Sequence, residues 1–222
     1  MNIIRQLSIV AVLAGIGLAQ EFPVVPYDSL MDDRVSVDGY VDREDDEYPA
    51  ELKNPATGLT VSWGFDDSLI YIALETRAKG WFGIGLGAPG MNEANMIVGF
   101  YTDDSAEVYD LVGAEHGHPV VLHADTLNLD WDIDFDDETG ITALEVAYPL
   151  KWRGEGSPAA FSEVNALQGT AIPGLEPGDV YDVILAQNTK SISFSQKHSH
   201  RTSLKVRLAE NPRQSTQPEG GE

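Results

Sequence analysis

The sequence predicts an all-β protein, an antiparallel β-sandwich with at most one short helix. Three observations support this prediction. In most of the predicted strands, apolar and polar residues alternate with a period of two. Helical periodicity is nearly absent, and turns rich in Asp and Gly separate the strands. Many short strands divided by such turns are typical of sandwiches and barrels.

The first residues predict a secretory signal peptide over residues 1–19. Arg5 precedes an apolar stretch at residues 7–18, and small residues stand at Gly17 and Ala19, where we expect cleavage. The mature protein is therefore expected to be secreted or periplasmic. No later apolar stretch approaches the ~20 residues that a bilayer span requires, so we expect no transmembrane segment in the mature chain.

Three regions are predicted after the signal peptide. Residues 20–46 form an acidic, irregular lead-in with one short strand. Residues 47–208 form the sandwich, and residues 209–222 form a polar tail rich in Pro and Gly, which is the composition of a disordered segment. A short helix is predicted at residues 160–169.

Two hairpins are the clearest predicted elements. The first joins residues 59–65, where every second residue is apolar, to the apolar run 69–74 through an acidic turn. The second joins residues 127–135, which alternate strictly between apolar residues and Asn or Asp, to residues 144–150. Further strands are predicted at residues 180–186 and 204–208.

The glycine-rich segment "GWFGIGLGAPGM" at residues 80–91 predicts a pocket. Gly83, Gly85 and Gly87 alternate with apolar residues, and a Pro-Gly pair then leads to Met91. Glycine inside a strand often marks a place where a ligand or another backbone comes close.

Charge and cysteine content exclude several classes of protein. A formal net charge of −22 argues against partners such as nucleic acid or an anionic membrane. The chain contains no cysteine, which excludes disulfides, thiolate metal sites and covalent attachment of a c-type haem. No serine-hydrolase or cysteine-protease motif is present, and although composition does not exclude a carboxylate pair for glycoside hydrolysis, no carboxylate stands out among the 36, so an enzyme is not indicated.

The histidines and the acidic strand are the candidate metal ligands. His116 and His118 lie in "EHGHP", where a lone H-x-H pair in an exposed loop is a weak metal signal. His198 and His200 are each an even number of residues away from the apolar Leu204, Val206 and Leu208 of the last strand. If the strand extends back to them, both imidazoles point toward the core. If it does not, both lie at the solvated start of the strand. Calcium at the Asp-rich turns is a minor alternative to a charged outer strand face.

Residues 58–113, "GLTVSWGFDDSLIYIALETRAKGWFGIGLGAPGMNEANMIVGFYTDDSAEVYDLVG", resemble the DOMON domain. This is a family of haem- or sugar-binding modules related to the N-terminal region of dopamine beta-monooxygenase and to the cytochrome domain of cellobiose dehydrogenase. Downstream, "PGDVYDVILAQ" and "KHSHRTSLKVRL" resemble the last strands of the family. The resemblance covers residues 38–208 and implies an immunoglobulin-like sandwich.

In haem-binding members of this family, a methionine and a histidine ligate a b-type haem. The resemblance implies Met91 as the first iron ligand and His198 as the second, with His200 as its competitor. Trp81 and Gly85 are further residues expected to contact the cofactor, whereas Met96 is expected in the core. Two protein ligands leave no open position for oxygen, so the implied function is electron transfer to a redox partner protein.

Two other functions remain open. Other DOMON-like modules bind carbohydrate or a related small ligand, and the aromatic residues that would serve here are Trp63, Trp81, Trp131 and Tyr148. A third hypothesis is a structural or surface-interaction domain with calcium at the Asp-rich turns. The family often has Asp where this chain has Asn95, which is a departure from its pattern.

Overall fold

The computed structural model describes residues 21–114, 117–152, 154–158 and 170–213, without the side chains of residues 114 and 117–121. The predicted signal peptide and the predicted helix at residues 160–169 lie outside this part of the chain, as does most of the predicted tail.

The described residues form a sandwich of two β-sheets, as the sequence predicts. The five-stranded sheet has the order β2-β3-β4-β10-β9, and the seven-stranded sheet has the order β1-β12-β11-β5-β6-β7-β8. All pairings are antiparallel except that of β1 with β12. The strands are β1 Val24–Val25, β2 Ala50–Asn54, β3 Leu59–Phe65, β4 Leu69–Thr76, β5 Phe82–Leu86, β6 Asn95–Thr102, β7 Ser105–Ala114, β8 Gly117–His123, β9 Asp130–Asp136, β10 Ile141–Pro149, β11 Val180–Gln187 and β12 His200–Leu208.

Both predicted hairpins are present, with one change of boundary. In the first, Trp63 pairs with Ile72. In the second, β9 begins at Asp130 rather than at residue 127, because Ala124–Leu127 form a single 3₁₀ turn and Asn128 takes a left-handed conformation with φ 52°. The described residues also include one α-helix of four residues, α1 at Met31–Arg34.

The main core lies between the two sheets and follows the predicted parity. Trp63, Phe65 and Ile72 face inward from the five-stranded sheet, and Phe82 and Ile84 face them from the seven-stranded sheet. Because successive side chains of a strand point to opposite faces, the intervening residues lie on the two outer faces of the sandwich.

Each outer face has its own apolar cluster. On the five-stranded sheet, residues of the lead-in pack over Tyr71 and Ala147, with Met31 fully buried. On the seven-stranded sheet, a separate cluster forms around Trp81, Met96 and Leu111. This second cluster positions the candidate site.

Candidate functional site

A cavity of about 780 Å³ lies on the outer face of the seven-stranded sheet. Its floor consists of apolar side chains from β6, β7 and β11, and its walls include parts of the β5–β6 loop and the β11–β12 loop. The volume falls within the range of about 300–1,000 Å³ that is usual for small-molecule and cofactor sites. The floor residues are Met96, Val98, Leu111, Ile184 and Ala186.

Two glycines of β5 contribute to this floor. Gly83 and Gly85 alternate with Phe82 and Ile84, which face the core, so the glycines face the cavity. A Cβ atom on Gly85 would lie 2.6 Å from Ile184 Cγ1 and 2.9 Å from Met96 Cγ. The close approach that the glycine pattern predicted is therefore made in this structure by neighbouring side chains, which lie across β5.

Met91 lies on the wall formed by the β5–β6 loop and is half-buried. The loop is attached to β7, because Glu93 N–H donates to the Gly113 carbonyl at 2.7 Å and Gly113 N–H donates to the Ala94 carbonyl at 3.3 Å. A Cβ atom on Gly113 would overlap the carbonyl oxygen of Met91. A glycine at position 113 is thus what allows Met91 to lie where it does.

Met96 differs from its sequence-based assignment in location. It is buried, as predicted, but it lies in the cavity floor and not between the two sheets. The cavity is therefore lined by two thioethers, one in the floor and one on the wall.

His198 lies on the wall formed by the β11–β12 loop and is half-buried. Burial lowers the pKa of this imidazole, and the nearby charges of Arg201 and Lys197 lower it further. A neutral imidazole is the form of histidine that binds metals. Met91 and His198 thus line one cavity from two different loops.

His200 is exposed and does not line the cavity. It is the first residue of β12 and pairs with Gln187, whereas full burial on this strand begins only at Val206. The sequence left open whether His200 points inward or lies at the solvated start of the strand, and the structure shows the second arrangement. His116 and His118 lie where side chains are not described.

Trp81 forms part of the cavity and also supports the loop that carries His198. Its indole N–H donates to the Gln196 carbonyl at 3.1 Å, and its backbone N–H donates to the Ser191 carbonyl at 3.0 Å. Asn188 holds the same loop, because its Oδ1 accepts from Ser191 N–H and its Nδ2 donates to the Lys197 carbonyl.

The other proposed carbohydrate-binding aromatics lie elsewhere. Trp63 and Tyr148 are in the core. Trp131 lies in β9, and its indole N–H donates to Asp125 at 2.8 Å. Phe194, which the sequence analysis did not single out, does line the cavity and packs edge-on against Phe100.

The cavity has a basic rim, defined here as Lys197 and Arg201, which sequence analysis missed. The sequence does contain an indication of this basic rim, because residues 183–209 contain no Asp or Glu although the chain has a net charge of −22. The five basic residues of this segment are Lys190, Lys197, Arg201, Lys205 and Arg207.

A buried polar group lies below the cavity floor, on the core side of the sheet. Asn95 Nδ2 donates to the Tyr148 hydroxyl at 2.6 Å, and this hydroxyl donates to Asp110 Oδ1 at 3.0 Å. Burial raises the pKa of the Asp110 carboxyl to about 7. Asn95, the departure noted in the sequence, thus takes part in the internal network.

The acidic turns form hydrogen bonds and ion pairs with the protein itself. Asp67 accepts from Tyr27, Asn211 and Arg213, and Asp136 accepts from Thr139. In the part of the chain that the structure describes, no three His, Asp or Glu side chains form a group able to hold a metal ion. The calcium hypothesis therefore gains no support from the described turns.

One protein-family model matches the central part of the chain. Residues 56–153 match the sequence model of the DOMON domain. This segment is similar to the DOMON domain family. It includes the complete strands β3 to β10, Trp81, Gly85 and Met91. His198 and the basic rim lie beyond the DOMON match but line the same cavity.

Several solved structures resemble the chain in fold. They include the cytochrome b domain of pyranose dehydrogenase from Coprinopsis cinerea, with 11% identity, a TM-score of 0.49, and coverage of 70% of this chain and 79% of that chain. The cytochrome domain of cellobiose dehydrogenase from Myriococcum thermophilum has 17% identity, a TM-score of 0.46, and coverage of 75% and 86%. A family 9 carbohydrate-binding module from Caldicellulosiruptor kristjanssonii, in complex with cellotriose, has 10% identity, a TM-score of 0.41, and coverage of 90% and 99%.

No curated protein matches this chain. Among the described residues, no helix has the length and apolar character needed to cross a membrane.

Proposed function

We propose that this protein is exported and that its cavity binds a b-type haem for electron transfer, with Met91 and His198 as the axial ligands. The observation that carries the proposal is that a thioether and an imidazole from separate loops line one largely apolar cavity. Methionine and histidine together are a known axial pair for electron-transfer haem.

The residues of the site have defined roles in this proposal. A bound haem would supply a one-electron couple, and thioether ligation raises its potential. Met91 and His198 would hold the iron, and with two protein ligands the protein would act as an electron carrier and not as an enzyme. The floor residues would exclude water, and the lowered pKa of His198 favours the neutral imidazole, which is the form that binds metals. The partner is a redox protein.

The test begins with an absorption spectrum of residues 20–222 after titration with haemin, recorded oxidised and reduced. We expect a low-spin spectrum with sharp bands. Met91→Leu should change the spin state or lower the midpoint potential, whereas Met96→Leu should preserve both, because Met96 serves only as floor. A colourless protein, or a Met91→Leu spectrum identical to the parent, would contradict the proposal.

The second ligand needs its own pair of variants. His198→Ala should weaken haemin binding at least about tenfold, because it removes an axial bond, whereas His200→Ala should leave the affinity unchanged since His200 is exposed outside the cavity. The reverse result would transfer the ligand role to His200.

Carbohydrate binding is the second candidate, because Trp81 and Phe194 both present aromatic surface to the cavity. Calorimetric titration with neutral oligosaccharides tests it directly. Heat of binding that disappears in Phe194→Ala, from a protein that takes up no haemin, would favour this function.

A further inference from the structure

The cavity combines an apolar floor with two cationic side chains in a strongly acidic protein. Lys197 and Arg201 both line it, and they belong to a segment of 27 residues, 183–209, that lacks Asp and Glu altogether. A net charge of −22 disfavours the approach of anions to the protein as a whole. This segment therefore forms a local exception beside the cavity.

Among the residues that the structure describes, no carboxylate forms an ion pair with the basic rim. Other basic residues of the described chain form ion pairs, such as Lys205 with Asp182 at 3.0 Å and Arg34 with Asp28 at 2.8 Å. Within the described residues, neither Lys197 nor Arg201 has an acidic side chain within 4 Å. Both charges also act on His198, which lies between them in the sequence and lines the same wall.

We infer that the cavity selects a flat apolar ligand that bears carboxylate groups, and that Lys197 and Arg201 bind those carboxylates. This inference rests on the proposed haem function and specifies how the ligand is recognised. A b-type haem carries two carboxylates on an otherwise apolar ring, which matches one floor of apolar side chains and two cationic groups on one side. Charge-assisted hydrogen bonds of Arg and Lys to carboxylates are among the stronger polar contacts in proteins.

A comparison of haemin with haemin dimethyl ester tests the inference, because the ester keeps the ring and the iron but removes both negative charges. Dissociation constants are measured for each compound by following the Soret band. We expect the parent protein to prefer haemin by about tenfold or more, and the preference to decrease as salt is raised.

Matched variants assign this preference to the basic rim. The double variant Lys197→Gln/Arg201→Gln should bind the two compounds equally. The control Lys190→Gln/Arg207→Gln removes the same total charge from the same segment, outside the cavity lining, and should keep the preference. Persistence of the preference in the first variant, or its loss in both, would overturn the inference.

The outcomes also separate this inference from the proposed function. Equal binding of haemin and its ester by the parent protein would refute carboxylate selection and leave haem binding intact. If neither compound binds, the haem proposal is overturned, and the inference fails together with it.

Discussion

Asp110 shows at the residue scale how the fold changes the chemistry of a side chain. It is 1% exposed, and its Oδ2 atom has no hydrogen-bond partner among the described residues; the same holds for Oδ1 of Asn95. Two buried acceptors without donors are costly. A proton on Asp110 removes the charge and supplies a donor, which agrees with the raised pKa of this carboxyl.

This raised pKa has a consequence for stability. The folded state binds a proton on Asp110 up to about pH 7, whereas the unfolded chain releases it near pH 4. The stabilising contribution is thus complete below the unfolded pKa and is lost as the pH rises through about 7. Burial also raises the pKa of Glu145 to about 7, which acts in the same direction. The lowered pKa of His198 acts in the opposite direction.

Asp110→Asn should therefore reduce the loss of stability between pH 5 and pH 8. The amide is neutral at both values, so the pH dependence that remains comes from other groups with shifted pKa values, among them Glu47, Glu145 and His198. Urea unfolding of parent and variant at the two pH values measures the change in the free energy of unfolding. The expected difference is on the order of 1 kcal/mol or more, since each pKa unit corresponds to about 1.4 kcal/mol. Equal pH dependence in the two proteins would show that Asp110 is already ionised at pH 5.

At the scale of elements, β7 determines where the β5–β6 loop lies. Gly113 near the end of β7 is bridged to Asn92, and its carbonyl accepts from Glu93 N–H. The loop runs so close to this strand that position 113 has no room for a Cβ atom. The position of Met91 is therefore specified by contacts between a loop and a strand that are distant in sequence.

Gly113→Ala should displace the β5–β6 loop. We expect a loss of about 1–3 kcal/mol in the free energy of unfolding, the usual cost of overpacking, and weaker haemin binding because Met91 moves with the loop. Gly90→Ala is the control for stability, since a Cβ atom there meets nothing within 4 Å. Thermal unfolding of both variants provides the measurement. A Gly113→Ala protein as stable as Gly90→Ala would show that the loop adjusts freely.

At the scale of the whole molecule, the lead-in is packed against the sandwich. Glu145 on the outer face of the five-stranded sheet accepts backbone N–H groups from Asp38, Gly39 and Tyr40. Met31 packs in the same outer cluster, and β1 adds a parallel strand beside β12. The lead-in thus covers one outer face, while the cavity lies on the opposite outer face.

Met31→Ala should destabilise the whole protein by about 2–5 kcal/mol, because it leaves a void under the lead-in. Leu30→Ala is the matched control, since Leu30 is 56% exposed while its neighbour Met31 is 0% exposed. The control should change the free energy of unfolding by less than ~0.5 kcal/mol. Equal and small effects in urea unfolding would mean that the sandwich is stable without this cover.

The sequence by itself determined the β-sandwich, both hairpins and the DOMON resemblance. Alternation with a period of two is a local property, and it states which face of a strand is buried without information on distant residues. The pairs Trp63 with Ile72 and Leu144 with Ile133 follow from that alternation and from the acidic turns between the strands. Met91, Trp81 and Gly85 were also recognisable, since they lie in one glycine-rich segment that forms part of the cavity.

Only the tertiary structure shows which of the predicted site residues line the same cavity. Met91 and His198 come from loops far apart in sequence, and they line one cavity only because β5 pairs with β6 on one side and with β11 on the other. The alternation of side chains along β12 could not show which of His198 and His200 faces the cavity. It states which face of the strand a residue lies on, but not where along the strand full burial begins. The floor position of Met96 likewise depends on which outer face remains free of the lead-in, and that is a property of the packed molecule.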